Sequence, residues 1–179
     1  MQLTFITGNP SKASYVADWL NYDLDHHNLD LAEIQSLDLR EVVEDKAKRA
    51  YDILQKPVLV EDVSLTFDAL GRLPGTYVKW FIQEAGLENL CRMLDSHDDR
   101  SAMAKICYAI YDGQQINFFE GQMTGRISMQ PMGDGGFGFD PIFINDGYNI
   151  TRAQMQEDEF KNASHRYEAL TKLSEFLHA

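Results

Sequence analysis

The segment FITGNPSK, residues 5–12, combines a helix-start signal with a lysine that could reach a phosphate. An apolar run ends at Gly8, and Lys12 follows four residues later. Backbone N–H groups at a capped helix start, together with the helix dipole, favour an anion. The segment lacks the G-x-x-x-x-G-K-[ST] pattern of a P-loop. Its spacing alone therefore favours ordinary helix capping over phosphate binding.

Two adjacent acids, Glu61 and Asp62, follow an apolar run in PVLVEDVSLTF, residues 57–67. This run predicts a buried strand that enters a polar turn. Consecutive strand side chains point to opposite faces, so one carboxylate can face a cleft while the other faces away from it. A carboxylate at the C-terminal end of a strand is a common position for Mg²⁺ and a water. A solvated turn explains the pair about equally well.

Two later segments offer groups that could recognise a nucleotide base. The glycine-rich GDGGFGFDP, residues 133–141, supplies aromatic rings for stacking and Asp140 as an acceptor for ring N–H groups. A bulged hairpin with core aromatics is the more frequent meaning of such a segment. Ser164 could cap the final helix, and His165 and Arg166 could donate to a carbonyl-bearing base. Such a pair at a helix start is more often surface decoration.

The elements that carry these residues alternate between strands and helices, which predicts a mixed-sheet α/β domain over residues 1–179. Asn9 and Pro10 suit the cap and first position of the first helix. The predicted strands are 3–6, a buried strand that enters a polar turn within 57–67, and 102–112 and 115–129, which are joined at Asp112-Gly113. A further strand is predicted after the glycine-rich loop. The predicted helices follow residue 10, cover 43–54, extend from the LPGTYVKWF turn through Leu94, and cover 163–177.

Composition limits the classes of partner. The chain has 179 residues, 44% of them apolar, enough for one domain with a sizeable core. Sixteen basic against 28 acidic residues give a net charge of −12, which argues against a nucleic-acid polymer but leaves a small anion with its own Mg²⁺ open. No run approaches the roughly 20 apolar residues of a membrane span, and no secretory signal is evident. Two distant cysteines predict a reducing, cytoplasmic location.

Five segments, taken in order along the chain, resemble the inosine triphosphate pyrophosphatase family. They are TGNPSK (7–12), PVLVEDVSL (57–65), LPGTYVKWF (73–81), GGFGFDPIF (135–143) and SHRYEAL (164–170). The resemblance implies a two-lobed α/β fold with a central cleft, a homodimer, and a purine nucleoside triphosphate held in that cleft. It also implies Mg²⁺ as cofactor, which Mn²⁺ could replace.

The resemblance assigns a role to individual residues. Asp62 would bind Mg²⁺ and act as general base, and Glu33 would be the second metal-binding acid. The residues expected to bind the triphosphate are Thr7, Gly8, Asn9, Lys12, Lys46 and Lys79. The residues expected to bind the base are Phe137, Gly138, Phe139, Asp140, His165 and Arg166.

One position departs from the family pattern. The family's usual E-K-N before S-H-R places a lysine where this chain has Phe160, and Lys161 comes one residue later. One residue is about 100° on a helix, so Lys161 points elsewhere unless a bulge restores its direction. Lys161 is nevertheless included among the candidate base-site residues.

The reaction implied is hydrolysis of ITP, dITP or XTP between the α and β phosphates, which would cleanse the nucleotide pool. Two other functions stay open at this point. The chain could be a nucleotide-binding module without catalysis, or a pyrophosphatase with another base preference, such as a Maf-like enzyme for modified pyrimidines. The retained Asp62, Lys12 and Lys46 argue against the first alternative. The His165–Arg166 pair and the FGFD sequence argue against the second.

Overall fold

One seven-stranded mixed sheet organises the chain in the computed structural model, which describes residues 2–179 apart from the side chain of Ser11. The strands are Leu3–Ile6 (β1), Leu24–His27 (β2), Val58–Phe67 (β3), Pro74–Gly75 (β4), Ser101–Tyr111 (β5), Ile116–Ile127 (β6) and Phe143–Asn145 (β7). The helices are Pro10–Leu20 (α1), Leu39–Leu54 (α2), Val78–Arg92 (α3), Glu157–Asn162 (α4) and His165–His178 (α5).

The sheet combines parallel and antiparallel pairs, as the sequence predicts. Its strand order is β2-β1-β3-β5-β6-β7, and β4 pairs with β3. Strand β1 is parallel to both β2 and β3, with Thr4 opposite Val58 in the second pair. Parallel neighbours need crossover connections, and α1 and α2 supply them. The pairs β3–β4 and β6–β7 are antiparallel. The mixed α/β class is confirmed.

The chain divides into two compact units, each with its own apolar core. The first unit comprises residues 1–62, 106–121 and 168–179, and the second comprises residues 63–105 and 122–167. The first core includes Val43, Val58 and Cys107. The second core includes Phe67, Leu90 and Phe143. Burial raises the pKa of the Cys107 thiol to about 12, which keeps this group a neutral part of the first core.

Local signals define the helix starts, as the sequence predicts for α1, whereas α2 begins at Leu39, four residues before the predicted start. The Asn9 side chain accepts from the Lys12 amide at 3.2 Å, with Pro10 in the first helical position of α1. Asp38 caps α2 by accepting from the Arg40 amide at 2.9 Å. The turn at Asp112 is also confirmed, because its carboxylate accepts from the amides of Gln114 and Gln115 before β6 begins.

Three features of the fold differ from the sequence prediction. Strand β3 does not end in a polar turn at Glu61 and Asp62 but continues to Phe67, since lysines neutralise both carboxylates within the sheet. Strand β2 and helix α4 were not predicted, because LDHH and EDEFKN lack an apolar pattern. Helix α3 is interrupted at Gly86, which has a φ of 79°. No helix of the described residues has the length and apolar character needed to cross a membrane.

Gly125 should be essential to the β6–β7 pair. A β-carbon there would lie 2.1 Å from the Ile144 carbonyl oxygen, which belongs to the neighbouring backbone and cannot rotate away. We expect Gly125→Ala to destabilise the protein near the upper end of the roughly 1–3 kcal/mol typical of overpacking. Urea unfolding measures this change. Gly147→Ala is the control, because open space surrounds Gly147 and only its positive φ opposes the substitution. Equal losses in the two variants would contradict the steric account.

Candidate functional site

The start of α1 is built by hydrogen bonds from residues 7–12. The Thr7 amide donates to the His27 carbonyl at 3.0 Å, and the Thr7 hydroxyl accepts from the Asn9 amide at 3.1 Å. The Asn9 carboxamide in turn accepts from Lys12, and Gly8 lies between these two polar residues. Helix capping is therefore confirmed for this segment. Its contact with a triphosphate stays a prediction.

Lys12 reaches from the first turn of α1 to the middle of β3. Its ammonium group forms an ion pair with the Glu61 carboxylate. The Glu61 side chain is only 5% exposed and that of Lys12 is 26% exposed. A buried carboxylate requires such a partner, because an unpaired charge would lose its hydration. Glu61 was not among the predicted site residues, although its position beside Asp62 was a usable signal.

Lys46 of α2 contacts the two acids predicted to bind a metal, Glu33 and Asp62. Its ammonium group lies 3.3 Å from an Asp62 oxygen, 3.1 Å from the Glu61 carbonyl oxygen and 4.0 Å from a Glu33 oxygen. Burial lowers the pKa of Lys46, but attraction to Asp62, Glu33 and Glu61 outweighs burial and raises it above the ordinary value. Lys46 is therefore a permanent cation at neutral pH. The structure brings Lys46 to Glu33 and Asp62, and it places Lys12 on the neighbouring Glu61. Their roles toward phosphate and metal stay predictions.

The donor set of this cluster fits a divalent cation that also binds phosphate. Glu33 and Asp62 lie 4.0 and 3.3 Å from the same Lys46 ammonium, so the two carboxylates are on the same side of this unit and near each other. Within residues 2–179, no group of three or more His, Cys, Asp or Glu side chains could enclose a metal ion by itself. Mg²⁺ usually takes one or two carboxylates and completes its shell with water and substrate phosphates. Two neighbouring carboxylates match that requirement.

The second unit places Phe137 and Arg166 against each other. Phe137 is 52% exposed, and the Arg166 guanidinium carbon lies 4.9 Å from the centre of its ring. Arg166 itself is buried, and its amide donates to the Ser164 hydroxyl at 3.1 Å, which confirms Ser164 as a cap of α5. An exposed ring beside a cation is a suitable surface for stacking a base.

Phe139 and Asp140 have different surroundings from Phe137. Phe139 is buried in the second core, with its ring 6.2 Å from that of His165. Of the two phenylalanines in this loop, only Phe139 packs in the core, the alternative role that the sequence analysis gave to both rings. Asp140 is buried too, and its two oxygens accept from Arg152 Nε at 2.8 Å and the Phe137 amide at 2.9 Å. Asp140 therefore anchors its own loop, which includes Gly138, and its contact with a base stays a prediction.

The two lysines predicted for the second unit lie on its surface. Lys79 is exposed in the first turn of α3, and its ammonium group lies 5.1 Å from the centre of the Trp80 ring. Lys161 donates to Glu157 at 2.6 Å and its side chain is 44% exposed. Their contacts with substrate stay predictions. The ring of Phe160, which replaces the expected lysine, packs against the buried Arg152.

The chain belongs to the Ham1 family, whose model matches residues 3–176. It is 40% identical over 179 residues to the inosine triphosphate pyrophosphatase of Schizosaccharomyces pombe, covering 98% of this chain and 94% of that protein. It is 43% identical over 178 residues to the enzyme of the same name from Batrachochytrium dendrobatidis, covering 97% and 93%. The Ham1 protein structure from Staphylococcus aureus superimposes with a TM-score of 0.88 at 26% identity, covering 99% and 98% of the two chains.

Lys46 should stabilise the first unit in a pH-dependent way. Lys46→Met removes the cation that three acidic residues share. We expect the free energy of unfolding to fall by roughly 1–3 kcal/mol, less than for a fully buried pair. Because the Lys46 pKa is raised on folding, this stabilisation is fully present below 10.5 and disappears as the pH rises through the folded value. Urea unfolding of both proteins between about pH 7 and pH 11 measures the difference.

Lys48→Met is the matched control on the same helix, since Lys48 is exposed and pairs only locally with Glu44. We expect it to change stability little at any pH. A Lys46→Met protein as stable as the parent at neutral pH would show that the cluster does not depend on this cation.

Proposed function

We propose that this protein hydrolyses deaminated purine nucleoside triphosphates, namely ITP, dITP and XTP, to the monophosphate and pyrophosphate. The observation that carries the proposal is the cluster of two lysines and three acids in the first unit. The relatives support the same reaction, because full-length proteins 40% and 43% identical to this chain are inosine triphosphate pyrophosphatases. Such a reaction would remove deaminated nucleotides from the precursor pool.

Asp62 is the proposed general base of this reaction. It would take a proton from water as the water oxygen forms a bond to the α-phosphorus. The bond from the α-phosphorus to the bridging oxygen would then break, and that oxygen would leave with pyrophosphate. Base assistance of this kind typically accelerates a reaction by about 10²–10⁴-fold. The contact of Asp62 with Lys46 at 3.3 Å would hold the carboxylate in place for this step.

Lys12 and Lys46 would stabilise the negative charge that develops on the phosphates and the leaving pyrophosphate. The family resemblance adds Lys79 to this group. Asp62 and Glu33 would hold Mg²⁺, which when bound neutralises phosphate charge and orients the water. Separate segments supply these lysines, so a local cationic site is compatible with the net charge of −12. We also propose that the protein is a cytoplasmic homodimer, as the resemblance implies.

Base selection would follow from hydrogen bonding in the second unit. Arg166 can donate to the 6-oxo group of inosine or xanthosine. Adenine presents a 6-amino donor instead, which would leave two donors facing each other. Unpaired buried polar groups of this kind can discriminate by about 10⁴ or more. Guanine shares the 6-oxo group, so its rejection requires exclusion of the 2-amino group. Phe137 and His165 would complete this end of the site.

Asp62→Asn should lower kcat for ITP by about 10²–10⁴-fold without unfolding the protein, because the amide cannot take the proton. Pyrophosphate release with Mg²⁺ from ITP, XTP, GTP, ATP and dUTP measures both the reaction and its selectivity. Asp45→Asn is the control, since Asp45 pairs with Arg49 on α2 and has no proposed role.

We expect rapid release from ITP and XTP, little from the other nucleotides, and parent-like activity in the control. Binding of ITP without release from any nucleotide would indicate a binding module instead. Preferred hydrolysis of dUTP would indicate a pyrimidine enzyme. Near-parent activity of Asp62→Asn would remove Asp62 from its catalytic role.

Arg166→Ala should reduce the preference for ITP over ATP more than it weakens binding of the phosphate end. The measurement is kcat/KM for both nucleotides together with inhibition by inorganic pyrophosphate. Arg92→Ala is the control, because Arg92 lies exposed on α3 and pairs with Glu88. Arg166→Lys retains the charge in case the alanine variant is unstable. Equal losses for ITP and ATP would make Arg166 a phosphate-binding or structural residue.

A further inference from the structure

The two base-recognition segments of the second unit meet at two points. Arg166 lies over the ring of Phe137, and the ring of His165 lies beside that of Phe139. One segment is the glycine-rich loop and the other is the start of α5. The loop and the helix start are separate in sequence, so contacts that reach both of them bear on their relative placement. Arg152 makes such contacts.

Arg152 is the largest side chain among those fully buried in the described residues, with an exposure of 1%. It lies in a short 3-10 turn, Arg152–Gln154, between β7 and α4. Its guanidinium donates to four oxygens, on Asp140 at 2.8 Å, Asn145 at 3.2 Å, Ala163 at 3.1 Å and Phe160 at 3.5 Å. A buried guanidinium is tolerable only with such complete pairing, and the rigid fork imposes a geometry on its partners.

The contacts of Arg152 extend to both base-recognition segments. On the loop side it binds one Asp140 oxygen, and the other Asp140 oxygen holds the Phe137 amide at 2.9 Å. On the helix side it binds the Ala163 carbonyl, to which the Asn145 amide group also donates at 2.9 Å. Ala163 directly precedes Ser164, the cap of the helix that carries His165 and Arg166. One side chain therefore connects both segments.

The departure at residue 160 has a physical explanation in the same contacts. The Arg152 guanidinium carbon lies 4.3 Å from the centre of the Phe160 ring. A lysine at position 160, as the family pattern expects, would bring a second cation towards the buried guanidinium. Phenylalanine instead offers the face of its ring, which attracts a cation. Lys161 is directed to the surface and pairs with Glu157. Arg152 and Phe160 thus form a compatible pair.

We infer that Arg152 is a positioning residue that sets base selectivity by fixing the glycine-rich loop against the start of α5. The inference rests on the proposed function. Arg152 itself is not assigned any contact with substrate. It acts through Asp140 on Phe137 and through Ala163 on Arg166. The phosphate cluster of the first unit shares none of these contacts, so selectivity and phosphate binding should respond differently to its loss.

Arg152→Lys tests this inference because lysine keeps the charge beside Asp140 but cannot hold four oxygens at once. We expect the ratio of kcat/KM for ITP to that for ATP to fall by about 10- to 100-fold. Small displacements of positioning groups change reaction rates by factors of this size. Inhibition by inorganic pyrophosphate should be unchanged. Amide hydrogen exchange of Phe137 and Arg166, followed by NMR, should accelerate. Phe160→Leu, which removes only the ring face, should produce the same changes to a smaller extent.

Arg100→Lys is the matched control. Arg100 is also largely buried in the second unit, and it donates to the carbonyls of Ile127, Cys91 and Ser128 but to neither base-recognition segment. We expect it to lower the melting temperature without changing the ITP/ATP ratio. A loss of stability in Arg152→Lys with the ratio preserved would overturn the inference. So would equal changes of the ratio in both variants.

Failure of the proposed function gives a different result. If the parent protein hydrolyses no nucleotide, the proposed reaction is wrong, and the selectivity part of the inference is overturned with it. Amide exchange then decides the positioning part without any substrate. Faster exchange of Phe137 and Arg166 in Arg152→Lys alone supports positioning, and equal exchange in both variants overturns it.

Discussion

The adjacent carboxylates of Glu61 and Asp62 on β3 impose the main constraint on the first unit. Neighbouring strand residues face opposite ways, so the two carboxylates point apart and each has its own ion-pair partner. The structure neutralises Glu61 with Lys12 from α1 and Asp62 with Lys46 from α2. The same ion pairs that allow the strand to continue through two acids also hold the start of α1 and the middle of α2 against β3. Folding and the proposed chemistry depend on one set of contacts.

In the second unit, a buried arginine rather than a pair of lysines holds the candidate base-site residues. The segments proposed for base recognition are a glycine-rich loop and a helix end. The buried Arg152 holds both by hydrogen bonds to Asp140 and Ala163. Both carboxylate oxygens of Asp140, which the sequence predicts as a base contact, accept hydrogen bonds in this arrangement. Gly136 accommodates the arrangement, since its φ is 70° and a β-carbon there would lie 2.5 Å from the Asp140 carboxylate.

Features of the fold that depend on neighbouring residues could be predicted from the sequence. The Asn9 cap, the strand at residues 3–6 and the Asp112 turn depend on residues within a few positions of one another. The length of β3 could not be predicted, because its polar residues resemble a turn until their lysine partners are known. Phe137 and Phe139 each follow a glycine in the same loop, so the sequence does not distinguish them. Tertiary packing decides that Phe137 is exposed and Phe139 is buried. Arg152 is indistinguishable from a surface arginine without its four acceptors.

The central step of the proposed reaction is attack of water on the α-phosphorus at the carboxylate–lysine cluster of the first unit. The most direct test is hydrolysis of ITP by the parent protein in water enriched in oxygen-18, with mass spectrometry of the products. Attack at the α-phosphorus places the heavy oxygen in the monophosphate and leaves pyrophosphate unlabelled. Label in pyrophosphate, or in released orthophosphate, would mean that the bond broken or the atom attacked is a different one, and the assignment of Asp62 would be wrong.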